Sequence, residues 1–179
     1  MKKKTVLSIT YSAMCIALAM VLPFITGHVP RIGNMLCPMH IPVLLCGFLC
    51  GPIWGFAVGA ASPLLRSLIF GAPPLFPIAV AMAFELAAYG AVSGFLYRRL
   101  PKSPWSLYAS LLCAMAAGRV LWGAVRFILA GLTGTKFPFS AFVAGAVTNA
   151  IPGIVIQLIL IPLAVAVLER AKLVPNDRL

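Results

Sequence analysis

Six apolar stretches occupy nearly the whole of this 179-residue chain. Hydrophobic residues make up 62% of it and charged residues only 9%, whereas roughly a quarter of a soluble domain is charged. This composition cannot cover a surface that faces water. It indicates an all-α integral membrane protein, because a helix satisfies its own backbone hydrogen bonds in lipid.

The six stretches predict six membrane helices in a single domain over residues 1–179. The segment from His40 to Phe70 is ambiguous, since it could form one long kinked helix or two short helices hinged at Gly51-Pro52. The last two helices are longer than a perpendicular crossing requires, so tilt or a kink at Pro152 or Pro162 is expected. The expected bounds are 5–26, 40–50, 53–70, 78–97, 105–131 and 139–168.

The positions of the basic residues decide between one helix and two. With a hinge, nine basic residues and both termini share one face of the membrane, and two basic residues lie on the other. Because Lys and Arg concentrate in cytoplasmic segments, this predicts six spans with both termini in the cytoplasm. Membrane orientation then explains the net charge of +11. No nucleic-acid partner is expected. The nine are Lys2, Lys3, Lys4, Arg98, Arg99, Lys102, Arg170, Lys172 and Arg178, and the two are Arg31 and Lys136.

Four charged residues fall inside the predicted spans, where a charge costs several kcal/mol unless it has a partner. Together with the amide of Asn149, they lie about 7 to 18 Å from the outer ends of their helices, at a rise of about 1.5 Å per residue. None lies near the cytoplasmic surface. The four are Arg66, Glu85, Arg119 and Arg126.

Polar side chains at helical spacing form one stripe on each of the fourth, fifth and sixth predicted helices. Three arginines against one glutamate leave two positive charges in excess, which a bound carboxylate or phosphate would compensate. Two aromatic rings in these stripes offer a wall for a ligand, although rings at this spacing more often pack in the core. The stripes predict an outward-opening pocket for a small organic anion. They consist of Glu85 and Tyr89; of Arg119, Trp122 and Arg126; and of Asn149, Gly153 and Gln157.

Structural explanations exist for some of the same residues. Glu85 is alternatively expected to form an ion pair with Arg66 or Arg126, which would still leave two arginines over. His40 is expected either to line the mouth of the pocket or to be a loop histidine with satisfied hydrogen bonds. The five cysteines show no CxxC pair and are expected to pack without binding a metal.

The sequence offers little for catalysis. Glu85 is the only acid inside the predicted spans, and the chain has no GxSxG, HExxH or GxxxxGK[ST] motif. We expect no enzyme activity, no bound cofactor or metal, and no ATP hydrolysis by the chain itself. One alternative is a stand-alone ion-coupled carrier of a small organic anion with Glu85 as its protonatable group, although no two related repeats are visible. Another is a non-transporting protein whose arginines bind anionic lipid headgroups.

Five short segments follow one another along the predicted spans: PMHIPVLLCGF at 38–48, GP at 51–52, SPLLRSL at 62–68, GRVLWG at 118–123 and NAIPG at 149–153. In order and spacing they resemble the substrate-capturing S components of energy-coupling factor (ECF) vitamin importers. The resemblance implies a six-helix subunit in a bacterial plasma membrane that binds a vitamin or precursor near the outer face. It implies as partners a coupling transmembrane subunit and two cytoplasmic ATPases, which use the ATP.

The resemblance also implies that small residues one turn apart on the first helix, here Ala13 and Ala17, contact the coupling subunit. Members of the family share a scaffold but differ in their pockets, so only residue chemistry suggests the substrate. Excess arginine favours a carboxylate such as pantothenate, whereas an aromatic wall with Asn149 would also suit riboflavin or a pyridoxine-like ring. The expected substrate-binding residues are Arg126, Glu85, Asn149, Arg119, Arg66, Trp122, Tyr89 and His40.

Overall fold

The computed structural model of the protein describes residues 2–25, 36–101, 103–135, 137–146 and 150–171. Every regular element within these ranges is helical. Five of the described helices are long and apolar enough to cross a membrane, and a shorter apolar helix lies between the first and second of them. The helices are α1 Lys2–Ile25, α2 His40–Cys50, α3 Pro52–Phe70, α4 Val80–Arg99, α5 Pro104–Thr133, α6 Phe139–Ala146 and α7 Ile151–Arg170, and a π-helical turn, Leu75–Ala79, leads into α4.

The break between α2 and α3 lies at Gly51, so the segment 40–70 forms two helices. Gly51 has φ 94° and ψ −177°, a conformation that is open to glycine and strained for other residues. Pro52 then begins α3 at a position where its missing N–H leaves no hydrogen bond unmade. With 11 residues, α2 is about 16 Å long, roughly half the thickness of the hydrocarbon core.

The stripe of glycines on α2 and α3 packs closely against α4. A Cβ added at Gly55 would lie only 2.8 Å from the Cα of Gly47, so the two arms of the hairpin nearly touch. A Cβ at Gly90 of α4 would overlap the backbone of Gly55, and one at Gly59 would overlap the carbonyl of Leu86. The close packing that small-residue spacing predicts is therefore confirmed. Its counterpart on α4, at Gly90, was not identified from the sequence.

Contacts at one end of the bundle join the starts of some helices to the ends of others. The thiol of Cys50, the last residue of α2, donates to the carbonyl of Ser8 near the start of α1 at 3.8 Å. The hydroxyl of Tyr97 on α4 donates to Glu169 near the end of α7 at 2.7 Å. We call this the basic end, because it carries Lys4, Arg98, Arg99 and Arg170.

The opposite end, which we call the Glu85 end, holds the end of α1, the start of α2 and the end of α3. There the guanidinium of Arg66 on α3 donates to the carbonyl of Met20 on α1 at 2.6 Å. Glu85, in the second turn of α4, contacts His40 at the start of α2. Consecutive helices from α1 to α4 therefore run in opposite directions, with α4 packed between the α2–α3 hairpin and α5.

Local signals fix both ends of α5, the longest helix. Its N-cap residue, Ser103, accepts a hydrogen bond from the backbone of Trp105 at 3.3 Å, and Pro104 occupies the first position. At the other end Gly134 adopts a left-handed conformation with φ 66° and donates to the carbonyl of Ala130. At 30 residues α5 is about 45 Å long, which exceeds the hydrocarbon core and requires a tilt in a membrane.

The last expected helix, 139–168, corresponds to two described helices, α6 and α7. The start of α7 lies next to Pro152, where a kink is one of the expectations. Ala150 precedes α7, and Pro152 stands in its first turn. A proline has no N–H to donate to a preceding turn, so it favours the start of a helix at this point over continuation. Residues 147–149, which include Asn149, lie outside the described residues.

Gly90→Ala should lower the melting temperature, because the added methyl group overlaps the Gly55 backbone and forces two helices apart. Overpacking of this kind costs about 1 to 3 kcal/mol. Gly131→Ala on α5 is the matched control, since no heavy atom lies within 4 Å of its Cβ position. Differential scanning fluorimetry of the purified proteins in detergent measures both. Equal melting temperatures for the two variants would contradict the close contact.

Candidate functional site

Glu85 is the centre of a buried polar cluster at the Glu85 end. Its side chain is 2% exposed, and its Oε1 atom forms a salt bridge with Nη1 of Arg119 on α5 at 3.1 Å. The same oxygen lies 3.3 Å from Nε2 of His40. Three helices thus place polar side chains around one carboxylate. A carboxylate removed from water needs such partners, because its desolvation costs several kcal/mol.

His40 has a defined role in this cluster. An ionised carboxylate only accepts hydrogen bonds, so the contact to Glu85 makes Nε2 of His40 the donor. The ring of His40 also meets the ring of Tyr89 edge to face, at a centroid distance of 5.1 Å. Tyr89 lies one turn along α4 from Glu85, is 1% exposed, and packs against Gly118 of α5. His40 is therefore held on two sides and is not a loop histidine at a surface.

Arg119 reaches a second partner in the segment before α2. Its Nη2 atom donates to Sγ of Cys37 at 3.5 Å. Burial raises the pKa of the Cys37 thiol, and the nearby guanidinium offsets this only in part, so the sulfur is an uncharged acceptor at neutral pH. Sequence analysis assigned Cys37 to packing and missed this contact. Its nearness in sequence to His40 is the only signal that pointed to the cluster.

Two buried polar atoms in the cluster have no hydrogen-bond partner among the described residues: Nδ1 of His40 and Nε of Arg119. Nε of arginine is always a donor, whereas Nδ1 of a neutral histidine that donates through Nε2 is an acceptor. Buried polar atoms are nearly always hydrogen-bonded in folded proteins. The cluster therefore has two buried polar atoms that further polar groups could satisfy.

Trp122 and Arg126 continue the Arg119 face of α5 toward the end of the helix. Trp122 packs on the rings of Phe137 and Phe142, at centroid distances of 5.9 and 6.3 Å. The guanidinium carbon of Arg126 lies 5.1 Å from the centroid of the same Phe137 ring. This face of α5 is thus covered by α6 and the residues just before it.

A groove of about 400 Å³ lies at the end of α5, and one of its lining residues is Phe137, whose ring contacts Arg126. Its volume falls within the range of small-molecule sites, roughly 300 to 1,000 Å³. The lining is mostly apolar, with two phenylalanine rings and one threonine. The lining residues are Phe127, Ala130, Gly131, Thr135, Phe137 and Pro138.

Arg66 lies apart from the cluster and has a structural role. Besides its bond to Met20, its guanidinium lies over the rings of Phe24 and Phe70, 5.1 and 5.4 Å from their centroids. Pro23 also lies inside α1, one turn from Met20. Arg66 thus fastens the end of α1 to the end of α3.

The expected ion pair between Glu85 and Arg66 or Arg126 is wrong, since the partner of Glu85 is Arg119. Glu85 and Arg119 face each other across the α4–α5 contact, whereas the other two arginines bind aromatic rings. The structure brings Glu85, Tyr89, Arg119 and His40 together and places Trp122 and Arg126 next to them on α5. Asn149 lies outside the described residues, so its place in the site stays a prediction.

The comparisons with known proteins bear on this arrangement. A family model described as ECF transporter, substrate-specific component, matches residues 7–165. The chain belongs to this family. A comparison with curated proteins and one with solved structures give no match.

As a substrate-specific component, the chain is the substrate-binding subunit of an ECF transporter, and its apolar helices agree with a multi-pass membrane protein. Such a subunit needs a site for its substrate. The cluster around Glu85, in which two buried polar atoms have no partner among the described residues, is the candidate. Among the described residues, no three His, Cys, Asp or Glu side chains are placed to hold a metal ion.

Glu85→Gln should lower the stability of this substrate-specific component, because it leaves the charge of Arg119 buried without a partner. Removing one member of a buried pair costs about 3 to 5 kcal/mol. The double variant Glu85→Gln/Arg119→Gln should recover part of the loss, since it leaves no buried charge. The single variant Arg119→Gln completes the cycle, and thermal unfolding in detergent compares all three variants with the unchanged protein.

Glu169→Gln is the control for that experiment, because an amide oxygen at this position still accepts the hydrogen bond from Tyr97. Its melting temperature should stay close to that of the unchanged protein. A double variant that loses as much stability as the two single changes added together would show that Glu85 and Arg119 do not act as a pair.

Proposed function

We propose that this chain captures a small water-soluble vitamin or vitamin precursor that carries a carboxylate, with pantothenate as the best candidate. The observation that carries the proposal is the charge balance at the Glu85 end. Glu85 neutralises Arg119, and Arg66 is held by a carbonyl and two rings. Arg126 has an aromatic ring as its neighbour and no carboxylate among the described residues. A guanidinium without a carboxylate partner among the described residues favours a ligand that carries a carboxylate.

The aromatic residues support a carboxylate over a flat ring system. Tyr89 is 1% exposed and packs against His40 and Gly118, and Trp122 packs on two phenylalanine rings. The Tyr89 ring is thus buried by its neighbours, and the Trp122 ring has Phe142 stacked on one face. Riboflavin or a pyridoxine-like ring remains an alternative substrate, for which Asn149 would supply hydrogen bonds.

We further propose that the basic end faces the cytoplasm and the Glu85 end faces outward. Cytoplasmic segments of membrane proteins carry an excess of Lys and Arg, and the basic end carries them on α1, α4 and α7. In this orientation α2 and α3 enter the membrane as a hairpin with Gly51 on the cytoplasmic side, both termini are cytoplasmic, and the cell is bacterial. Substrate then enters from outside.

Energy for uptake comes, in this proposal, from partner subunits: a coupling transmembrane subunit and two cytoplasmic ATPases. The chain itself makes no covalent change to its substrate and needs no cofactor. The alternative of an ion-coupled carrier uses Glu85 as the protonatable group. The ion pair with Arg119 argues against it, because protonation of Glu85 would leave a buried guanidinium without its counter-charge.

The surface of α1 suits contact with a coupling subunit. Ala13 and Ala17 are exposed, one turn apart, and are flanked by the exposed apolar side chains of Met14 and Leu18. Small residues at this spacing let another helix approach closely in lipid. We propose that this face of α1 is where the coupling subunit binds.

The purified chain, without partner subunits, should bind a single member of a panel of water-soluble vitamins. Native mass spectrometry detects a copurified ligand, and calorimetric titration with each vitamin measures affinity. Arg126→Ala and Asn149→Ala should each weaken the binding severalfold or more while leaving the melting temperature nearly unchanged. A folded protein that binds no vitamin of the panel would contradict the proposed function.

Ala13→Leu/Ala17→Leu should prevent assembly with the coupling subunit and abolish uptake by cells, because the larger side chains keep the two helices apart. Vitamin binding by the purified variant should be unchanged. Ala124→Leu is the matched control, since Ala124 is an exposed alanine on α5. Copurification with a tagged coupling subunit measures assembly. Normal assembly of the double variant would place the contact elsewhere.

A further inference from the structure

Arg126 stands out among the charged residues of the Glu85 end, because no carboxylate of the described structure balances it. The whole chain has three acids. Glu85 is bound by Arg119 and His40, and Glu169 accepts from Tyr97 at the basic end. The third, Asp177, lies outside the described residues. The neighbour of Arg126 in the described structure is the ring of Phe137.

The position of Arg126 separates it from both the lipid-facing surface and the buried cluster. It lies seven residues beyond Arg119 on the same face of α5, about 10 Å nearer the end of the helix. Its neighbours Phe127 and Ile128 are 60% and 63% exposed, as expected for side chains in lipid, whereas Arg126 is only partly exposed. The guanidinium thus points toward the chain before α6, beside the groove described above.

We propose that Arg126 and this groove form an outer anion subsite, which receives the substrate before it reaches the cluster around Glu85. The inference rests on the proposed function and adds to it a second binding position for the substrate. A guanidinium without a counter-charge raises the local concentration of anions and so speeds their association. Arg119 attracts an anion less strongly, because Glu85 already balances its charge. The groove gives room for an apolar body attached to the carboxylate.

The occupant we infer is a small organic anion from water and not an anionic phospholipid. A lipid headgroup would need a guanidinium that is open to the surface of the bundle, whereas Arg126 is only partly exposed; the exposed ring of Phe127 also lines the groove. Arg126 instead shares its aromatic neighbour, Phe137, with Trp122. Trp122 is itself only partly exposed and packs against Phe142 and Gly145 of α6. The face that carries Arg126 is therefore turned toward the protein.

Trp122 provides a reporter for the subsite that does not depend on knowing the substrate. In a Trp54→Phe/Trp105→Phe background it is the only tryptophan, since the chain has three. Iodide, an anionic quencher, and acrylamide, a neutral one, are titrated at constant ionic strength into the full chain in detergent. Lys136→Gln is included in every sample, so that this sequence neighbour of Phe137 does not contribute.

Arg126→Gln should lower the iodide quenching constant about 1.5-fold, the enrichment that one unit charge gives at roughly 7 Å in water when about 0.1 M salt screens it. Acrylamide quenching should not change. Arg126→Lys should keep the iodide effect, and Arg66→Gln, which removes a guanidinium held at α1 and α3, should leave it unaltered. Equal iodide quenching with and without Arg126 would overturn the subsite, provided that Arg126→Gln keeps its melting temperature. If that variant unfolds, the same comparison between Arg126→Lys and Arg126→Met decides.

Added phosphatidylglycerol tests the source of the anion. If it suppresses iodide quenching as fully as Arg126→Gln does, while phosphatidylcholine and pantothenate do not, the occupant is a lipid and the proposal is wrong. Vitamin binding by the same samples is scored separately. An Arg126-dependent iodide effect without any vitamin binding would retain the anion subsite but reject the proposed function. Vitamin binding without the iodide effect would reject the anion subsite but retain the proposed function.

Discussion

Direct contact between helix backbones sets the geometry of this protein. In lipid, apolar side chains gain little from burial against one another, so helices associate through close packing and polar contacts. Here the carbonyl of Gly90 on α4 approaches both Gly47 and Gly55, the two arms of the α2–α3 hairpin. That approach fixes the start of α2 beside the second turn of α4. As a consequence His40 reaches Glu85, although 45 residues separate them.

Scarcity of acids then divides the three intramembrane arginines into different roles. Among the described residues one carboxylate lies near them, and it pairs with the arginine on the neighbouring helix, Arg119. Arg66 obtains its stabilisation from a backbone carbonyl and two aromatic rings at the junction of α1 and α3. Arg126 has an aromatic ring and beside it a groove. A charge pattern that looks like one cluster in the sequence is in fact three separate environments.

Much of the architecture follows from the sequence because membrane helices are set by local rules. Hydropathy and the Gly51-Pro52 break placed the ends of most helices within a few residues of those in the structure. The spacing of Gly47, Gly55 and Gly59 indicated a tight hairpin. The spacing of Glu85 with Tyr89, and of Arg119 with Trp122 and Arg126, placed those residues on common faces. In the last expected helix, 139–168, α6 ends at Ala146 and α7 begins at Ile151, next to Pro152, one of the two positions at which a kink was expected.

The sequence by itself determined that the chain is an all-helical membrane protein, where its polar residues lie along the helices, and, through segments spread over its length, its family. The composition of each span and the helical spacing of its polar residues suffice for these conclusions, because each helix forms its own backbone hydrogen bonds wherever its neighbours lie. Only the tertiary structure decided that Glu85 pairs with Arg119, that His40 and Cys37 join them, and that Arg66 belongs to the α1–α3 junction. Pairing of charges depends on the rotation and spacing of adjacent helices, which backbone contacts at glycine fix and which no single helix encodes.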